Sequence, residues 1–159
     1  MLRGADVPTY VEYGAAELGV VGKDVLLERP GANVYEVMDL GMARCRMVVA
    51  GPADAEPDWR GKRLRVATKY VESARRHFAR TGRQVEIIRL RGALELAPLC
   101  GLADVIVDLV DTGETLKANG LRELEVITPI SARLIAGKAA AKTRHPELHA
   151  LMELIADAQ

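Results

Sequence analysis

Aromatic side chains are scarce in this 159-residue chain: Trp59 is the only tryptophan and Phe78 the only phenylalanine. Surfaces that stack nucleobases need interleaved aromatics, so this scarcity argues against nucleic acid as a partner, as do the missing helix-turn-helix pattern and zinc-ligand spacing. Cysteine is nearly absent too. Cys45 and Cys100 stand far apart and outside any CxxC arrangement, which gives no disulfide framework and no thiolate metal site and predicts two buried, reduced thiols. The three histidines, His77, His145 and His149, form no ligand pattern. No apolar run approaches the ~18 residues of a membrane span, and no N-terminal stretch has the charged start and apolar core of a signal peptide. A soluble, cytoplasmic protein without a membrane partner is expected. Net charge is also missing: Lys+Arg and Asp+Glu both number 22, so no global field draws in a polyanion or an anionic surface.

What is present is a composition that is 49% hydrophobic, enough to bury a core of one α/β unit with room for two lobes. Charge is unevenly spread. Between Arg60 and Arg91, eleven residues are basic and only Glu72 and Glu86 are acidic. A solvated helix face is the first reading of such a block and a surface for an anionic ligand the second.

Strands alternate with helices almost throughout. Asp6, Val7 and Pro8 read as a helix start, with Gly14 placed to end the helix and Val7, Tyr10 and Val11 as its buried face. Residues 18–21 read as a short strand running through Gly22 into the helical DVLLE, and residues 64–67 as another running through Thr68, Lys69 and Tyr70 into the amphipathic YVESARRHFART. Val71, Ala74 and Phe78 mark the apolar stripe of that helix, which Gly82 terminates. Strands are also predicted over 85–90, 104–110 and 124–127, with a short helix in ALELAPLC. GPADAEPDWRGK, residues 51–62, reads as a surface loop. From Pro146 onward, Leu148, Leu151, Met152 and Ile155 form one apolar helix face that should pack on the body of the protein. The alternation predicts an α/β fold with mostly parallel sheets, whose ligand sites lie outside the carboxyl ends of the strands.

The stretch from Glu95 to Leu121 carries the most chemistry. Val105, Ile106 and Val107 with Leu109 and Val110 make a near-continuous apolar run, as in a strand covered on both faces. It stops at Asp111, and Thr112, Gly113 and Thr115 lead into a short helix that Gly120 can close. Unpaired N–H groups at such a helix start favour an anion, and the threonines add hydroxyl donors. An ordinary turn explains the D-x-G loop equally well until the acids are considered. Asp108 breaks an apolar strand, and Glu95, Asp111 and Glu114 complete an acidic group. Carboxylates beside a phosphate suit Mg²⁺ or a ribose diol, so a phosphorylated ribose satisfies both.

The spacing from Glu95 through Gly101, Ala103, Ile106, Asp108, Leu109, Thr112, Gly113 and Thr115 to Leu116 resembles the signature of ATP phosphoribosyltransferase, the enzyme that opens histidine biosynthesis. VPTYVEYGAAELGVVGKDVLLE, ARCRMVVA and RVATKY resemble the same family in the expected order, so the likeness covers nearly the whole chain. It implies a two-lobed fold like the type II periplasmic binding proteins, with one lobe at residues 1–44 plus 136–159 and the other at 45–135. It also implies transfer of the phosphoribosyl group of phosphoribosyl pyrophosphate to N1 of ATP, with pyrophosphate released, Mg²⁺ present and no covalent protein nucleophile. The loop from Asp111 through Thr112, Gly113 and Glu114 to Thr115 would then hold the 5-phosphate of the donor, Asp108 would lie near the ribose, and Glu95 would help to hold the donor. Tyr70 and Asp24 are weaker candidates on the ATP side, with a partly buried tyrosine and an ordinary helix cap as their alternatives.

Family members usually open with a strand and a glycine-bearing basic loop that have no counterpart here, so the resemblance implies an incomplete first lobe and a weakly active or inactive form. It matches the short form of the enzyme, which implies an oligomer with a histidyl-tRNA-synthetase-like regulatory subunit. The competing expectation is a non-catalytic small-molecule binding module, or an inactive fragment, of the same fold.

Overall fold

The computed structural model describes residues 2–59 and 61–158; Met1, Gln159 and Arg60, the last a member of the basic block, lie outside the described residues. A 3₁₀ turn at Gly4–Asp6 leads into α1 (Val7–Glu12), β1 (Leu18–Gly22), α2 (Lys23–Leu27), β2 (Val34–Asp39), β3 (Cys45–Pro52), β4 (Leu64–Thr68), α3 (Val71–Arg80) and β5 (Val85–Arg89). Then follow α4 (Leu96–Leu99), β6 (Val105–Val110), α5 (Glu114–Ala118), β7 (Leu121–Ile130), β8 (Ala132–Gly137), α6 (Lys138–Thr143) and α7 (His145–Asp157). The chain divides into two compact units, Met1–Arg44 with Ile130–Gln159 and Cys45–Pro129. The reading from sequence cut the chain at 135/136, inside β8. That strand belongs whole to the first unit, because both its edges are paired there with β1 and β2.

In the first unit the sheet order is β1-β8-β2, and both pairings are antiparallel. Its core is small: Val11, Val21 and Ile135, with Val7, Val25, Leu26 and Val34 packed around them. Pro8 sits in the first turn of α1, where its missing N–H costs nothing. The helix lies close on the sheet because Gly19 has no side chain; a Cβ there would come within 2.6 Å of Val7 Cγ1. Tyr10, expected on the buried face, points out and is 43% exposed. α7 keeps its predicted helix, but none of its residues is fully buried, and Leu148, Leu151, Met152 and Ile155 are half-buried.

The second unit holds a five-stranded sheet in the order β5-β4-β6-β3-β7. β4 pairs parallel with β5 and β6, whereas β3 runs antiparallel to β6. The expectation of mostly parallel sheets is therefore corrected to mixed sheets, with the parallel pairs at the strands joined by α3 and α4. Val48, Ala50, Ala67, Leu94, Ala97, Ile106, Val110 and Leu116 form the main core cluster here. Gly51 and Pro52, assigned from sequence to the surface loop, extend β3 instead, and Gly51 is buried. α3 buries Ala74 and Phe78, as its stripe predicted, and Gly82 follows it at φ +69°. Thr81 closes the last turn, its hydroxyl donating to the His77 and Phe78 carbonyls. Neither cysteine is in a disulfide, and the expected burial of both is corrected: Cys45 is half-buried and Cys100, at the end of α4, is exposed.

Candidate functional site

Strand β6 ends at Val110, and the chain turns through Asp111, Thr112 and Gly113 into α5. Gly113 caps that helix at φ +82°, ψ 3°, a left-handed conformation that costs an L-residue about 1–2 kcal/mol and glycine almost nothing. Because Gly113 has no side chain, Thr112 Oγ1 takes over part of the capping and accepts the Glu114 N–H at 3.4 Å. Its own hydroxyl hydrogen stays available to donate. At the far end, Gly120 follows the C-cap at φ +65° and its N–H donates to the Lys117 carbonyl, which closes the helix in the manner the sequence suggested.

A cavity of about 260 Å³ opens at this end of β6. Glu95, Asp108, Asp111, Thr112, Gly113 and Thr115 all line it, over a floor that includes Ile106 and Leu116. Six of the seven sequence-predicted donor residues thus meet around one space, although Glu95 is brought in from the N-cap of α4. Glu114 does not line it; it is exposed in the first turn of α5. The weaker candidates lie elsewhere. Tyr70 is only 6% exposed and its N–H donates to Thr68 Oγ1 at 2.8 Å, so little of its ring is open to a ligand. Asp24 is half-buried in the first turn of α2, in the first unit.

Asp108 is half-buried, and burial pushes its carboxyl above the ordinary range. The Leu109 N–H at 2.9 Å and Lys69 pull it down, the Glu95 charge pushes it up, and the balance remains upward. Lys69 Nζ stands 3.7 Å from Asp108 Oδ1 and 4.9 Å from the centre of the Tyr70 ring. Sequence reading placed Lys69 at the end of a strand but gave it no role. The usable signal was register: Thr68 pairs with Val107 across the parallel β4/β6 ladder, so the next residue on each strand is Lys69 and Asp108. Buried Thr68 locks that register, its hydroxyl donating to the Val107 carbonyl at 2.7 Å.

Elsewhere in this unit part of the basic block is paired: Lys62 and Arg65 with Asp104, Arg75 with Glu72, and Arg83 with Glu125. Glu125 accepts from Arg83 and lies 3.0 Å from His77 Nε2; burial pushes its carboxyl up, but these partners outweigh burial and hold it below the usual range. Arg83 also stacks 4.2 Å from the Trp59 ring centre. Among the described residues no cluster of three or more His, Cys, Asp or Glu could hold a metal ion, and no helix is long and apolar enough to cross a membrane.

The family model described as ATP phosphoribosyltransferase matches residues 3–157. An ATP phosphoribosyltransferase of Nitrosococcus oceani is 60% identical over 158 residues, covering 99% of this chain and 73% of the relative; one from Halorhodospira halophila is 59% identical over the same shares. Among solved structures, the ATP phosphoribosyl transferase (HisG:HisZ) complex from Thermotoga maritima matches with TM-score 0.85 and 35% identity over 99% of this chain and 77% of that one. The alkanesulfonate-binding protein SsuA from Xanthomonas axonopodis pv. citri matches with TM-score 0.63 at 17% identity, over 98% of this chain and 59% of that one, which shows a shared periplasmic-binding-protein-like fold. On the reach of the family model and the identity of these relatives, the chain belongs to the ATP phosphoribosyltransferase family.

Proposed function

We propose that the chain carries out the family's glycosyl transfer with the cavity at the end of β6 as its ribosyl-donor site. The reaction breaks the bond from ribose C1 to the pyrophosphate oxygen and forms a bond from C1 to N1 of the adenine of ATP, the electron pair leaving with pyrophosphate. The observation that carries this assignment is the convergence of Glu95 and Asp108 with the Asp111–Thr115 loop around one space. In this reading the 5-phosphate sits against the loop N–H groups and the hydroxyls of Thr112 and Thr115. Asp108 faces the ribose, where a carboxylate accepts hydrogen bonds from a diol and stabilises positive charge building at C1. No side chain is required as a nucleophile. Holding two highly charged substrates in register supplies much of the acceleration.

Mg²⁺ fits this donor set. Glu95 and Asp108 are two hard oxygen donors lining one cavity; burial chiefly, with the Glu95 charge adding to it, raises the Asp108 carboxyl, and a cation would offset both. Without a larger protein cluster, the remaining ligands would come from the donor's own oxygens and water. When bound, the ion supplies neutralisation of the charge on the departing pyrophosphate. The Thermotoga maritima complex contains HisG and HisZ, which supports a histidyl-tRNA-synthetase-like regulatory subunit and an oligomer for this chain as well. A cytoplasmic location follows from the same reading, because both substrates are metabolites of the cell interior.

Isothermal titration with phosphoribosyl pyrophosphate and Mg²⁺ tests the assignment. Thr112→Ala is expected to weaken binding by about tenfold or more, the worth of one hydrogen bond to a charged group, while lowering the unfolding temperature only slightly, since the capping bond it loses is long and exposed. Tight binding of an unphosphorylated amino acid instead would favour a binding module of the same fold.

A further inference from the structure

Arg46 lies near the start of β3, paired with Val110 across the β3/β6 ladder. Its guanidinium serves two acceptors at once. Nε donates to Glu123 Oε2 at 2.9 Å, Nη2 closes a second contact on the same carboxylate, and Nη1 donates to the Asp111 carbonyl at 2.7 Å. Asp111 is the first residue of the cavity loop, and the same carboxylate lies against the third: a Cβ built on Gly113 would stand 3.5 Å from Glu123 Oε1. One ion pair, between residues 77 positions apart in sequence, therefore holds the loop at Asp111 and lies close beside Gly113.

The pair is a poor candidate for a stabilising device. Its side chains are 35% and 28% exposed, and partly exposed pairs contribute only about 0–1 kcal/mol. Nor does it add charge to the site, since Glu123 neutralises Arg46. What it does supply is direction. A planar guanidinium held by two bonds to one carboxylate has its third donor fixed in space, and here that donor grips a backbone carbonyl. We propose that Arg46, oriented by Glu123, is a positioning residue of the donor site, holding the Asp111 carbonyl so that the loop's N–H groups and threonine hydroxyls are aimed before the ligand arrives. Pre-ordering the loop removes a cost that binding would otherwise carry. The inference rests on the reading of this cavity as the ribosyl-donor site.

The test compares the unaltered chain with Arg46→Ala, Arg46→Lys and Glu123→Gln by titration with phosphoribosyl pyrophosphate plus Mg²⁺ and, separately, with ATP. Arg46→Ala is expected to weaken donor binding about tenfold, leaving ATP affinity and the unfolding temperature nearly unchanged. Arg46→Lys keeps the charge but lacks the fork, so it should fall between. Glu123→Gln, which retains size and one acceptor, gives a mild variant should Arg46→Ala fold poorly, and should lose donor affinity selectively. Donor binding by Arg46→Ala equal to that of a binding-competent unaltered chain overturns the inference alone, as does equal loss of both ligands. An unaltered chain that binds no donor overturns the site assignment and this inference with it.

Discussion

Asp108 on β6 and Glu125 on β7 belong to the same five-stranded sheet, on the two strands that flank β3, yet their surroundings treat them in opposite ways. Burial disfavours ionisation of both. Around Glu125 the fold answers with Arg83 and His77, backed by Trp59 and Phe78, and the carboxyl ends below its ordinary range. Around Asp108 it supplies one backbone N–H and a lysine 3.7 Å away, then adds the Glu95 charge, and the carboxyl ends above. Compensation is complete where the carboxylate ties β7 to α3 and the turn after it, and incomplete where it faces the cavity. A group left under-compensated in the free protein has most to gain from a cation or a diol.

Substitutions can break this contrast. The largest effect is expected from Phe78→Ala, which removes the buried ring beneath the Glu125 cluster and should cost about 3–5 kcal/mol in chemical denaturation. Next comes Glu125→Ala, at about 1–3 kcal/mol, since it strands Arg83 and His77. The pH dependence sharpens that case. A folded-state carboxyl held below its unfolded value stabilises the fold above the unfolded value, and this is lost as pH falls through the folded one. The gap between Glu125→Ala and the unaltered chain should therefore narrow in acid. Gly113→Ala strains the loop by about 1–2 kcal/mol, and its loss of donor affinity should exceed what so modest a destabilisation implies.

The smallest effect on stability, and the one opposite in sign, belongs to Asp108→Asn. Here the folded carboxyl is raised, so the neutral form favours folding; that contribution is full below the unfolded value and is lost as pH rises through the folded one. Asparagine keeps the neutral character at every pH. Thermal unfolding should show the variant equal to the unaltered chain in acid and more stable near neutrality.

Much of the second unit was legible in the sequence because its signals are local. The apolar run of β6, the stripe of α3, and Thr112 and Gly113 before α5 each report on a few neighbouring residues, and the loop fell where they pointed. β2, β3 and β8 were harder. The end of β3 carries Gly51 and Pro52, which mark loops in most contexts, and the lobe bounds implied by the resemblance split β8, whose place is set by its pairing with β1 and β2. The same limit hid Lys69 and Arg46 as parts of the site. Their partners, Asp108 and Glu123, lie tens of residues away and are brought together only by strand register. Tyr70 illustrates the converse: the resemblance offered it on the ATP side, but its side chain is almost wholly buried.

Titration of Asp108→Asn with phosphoribosyl pyrophosphate and Mg²⁺, alongside its melting curve at neutral pH, tests the central claim most directly. The account predicts donor binding weaker by about tenfold or more in a protein that melts at the same temperature or higher. Unchanged donor affinity, or a clear fall in melting temperature, would contradict it.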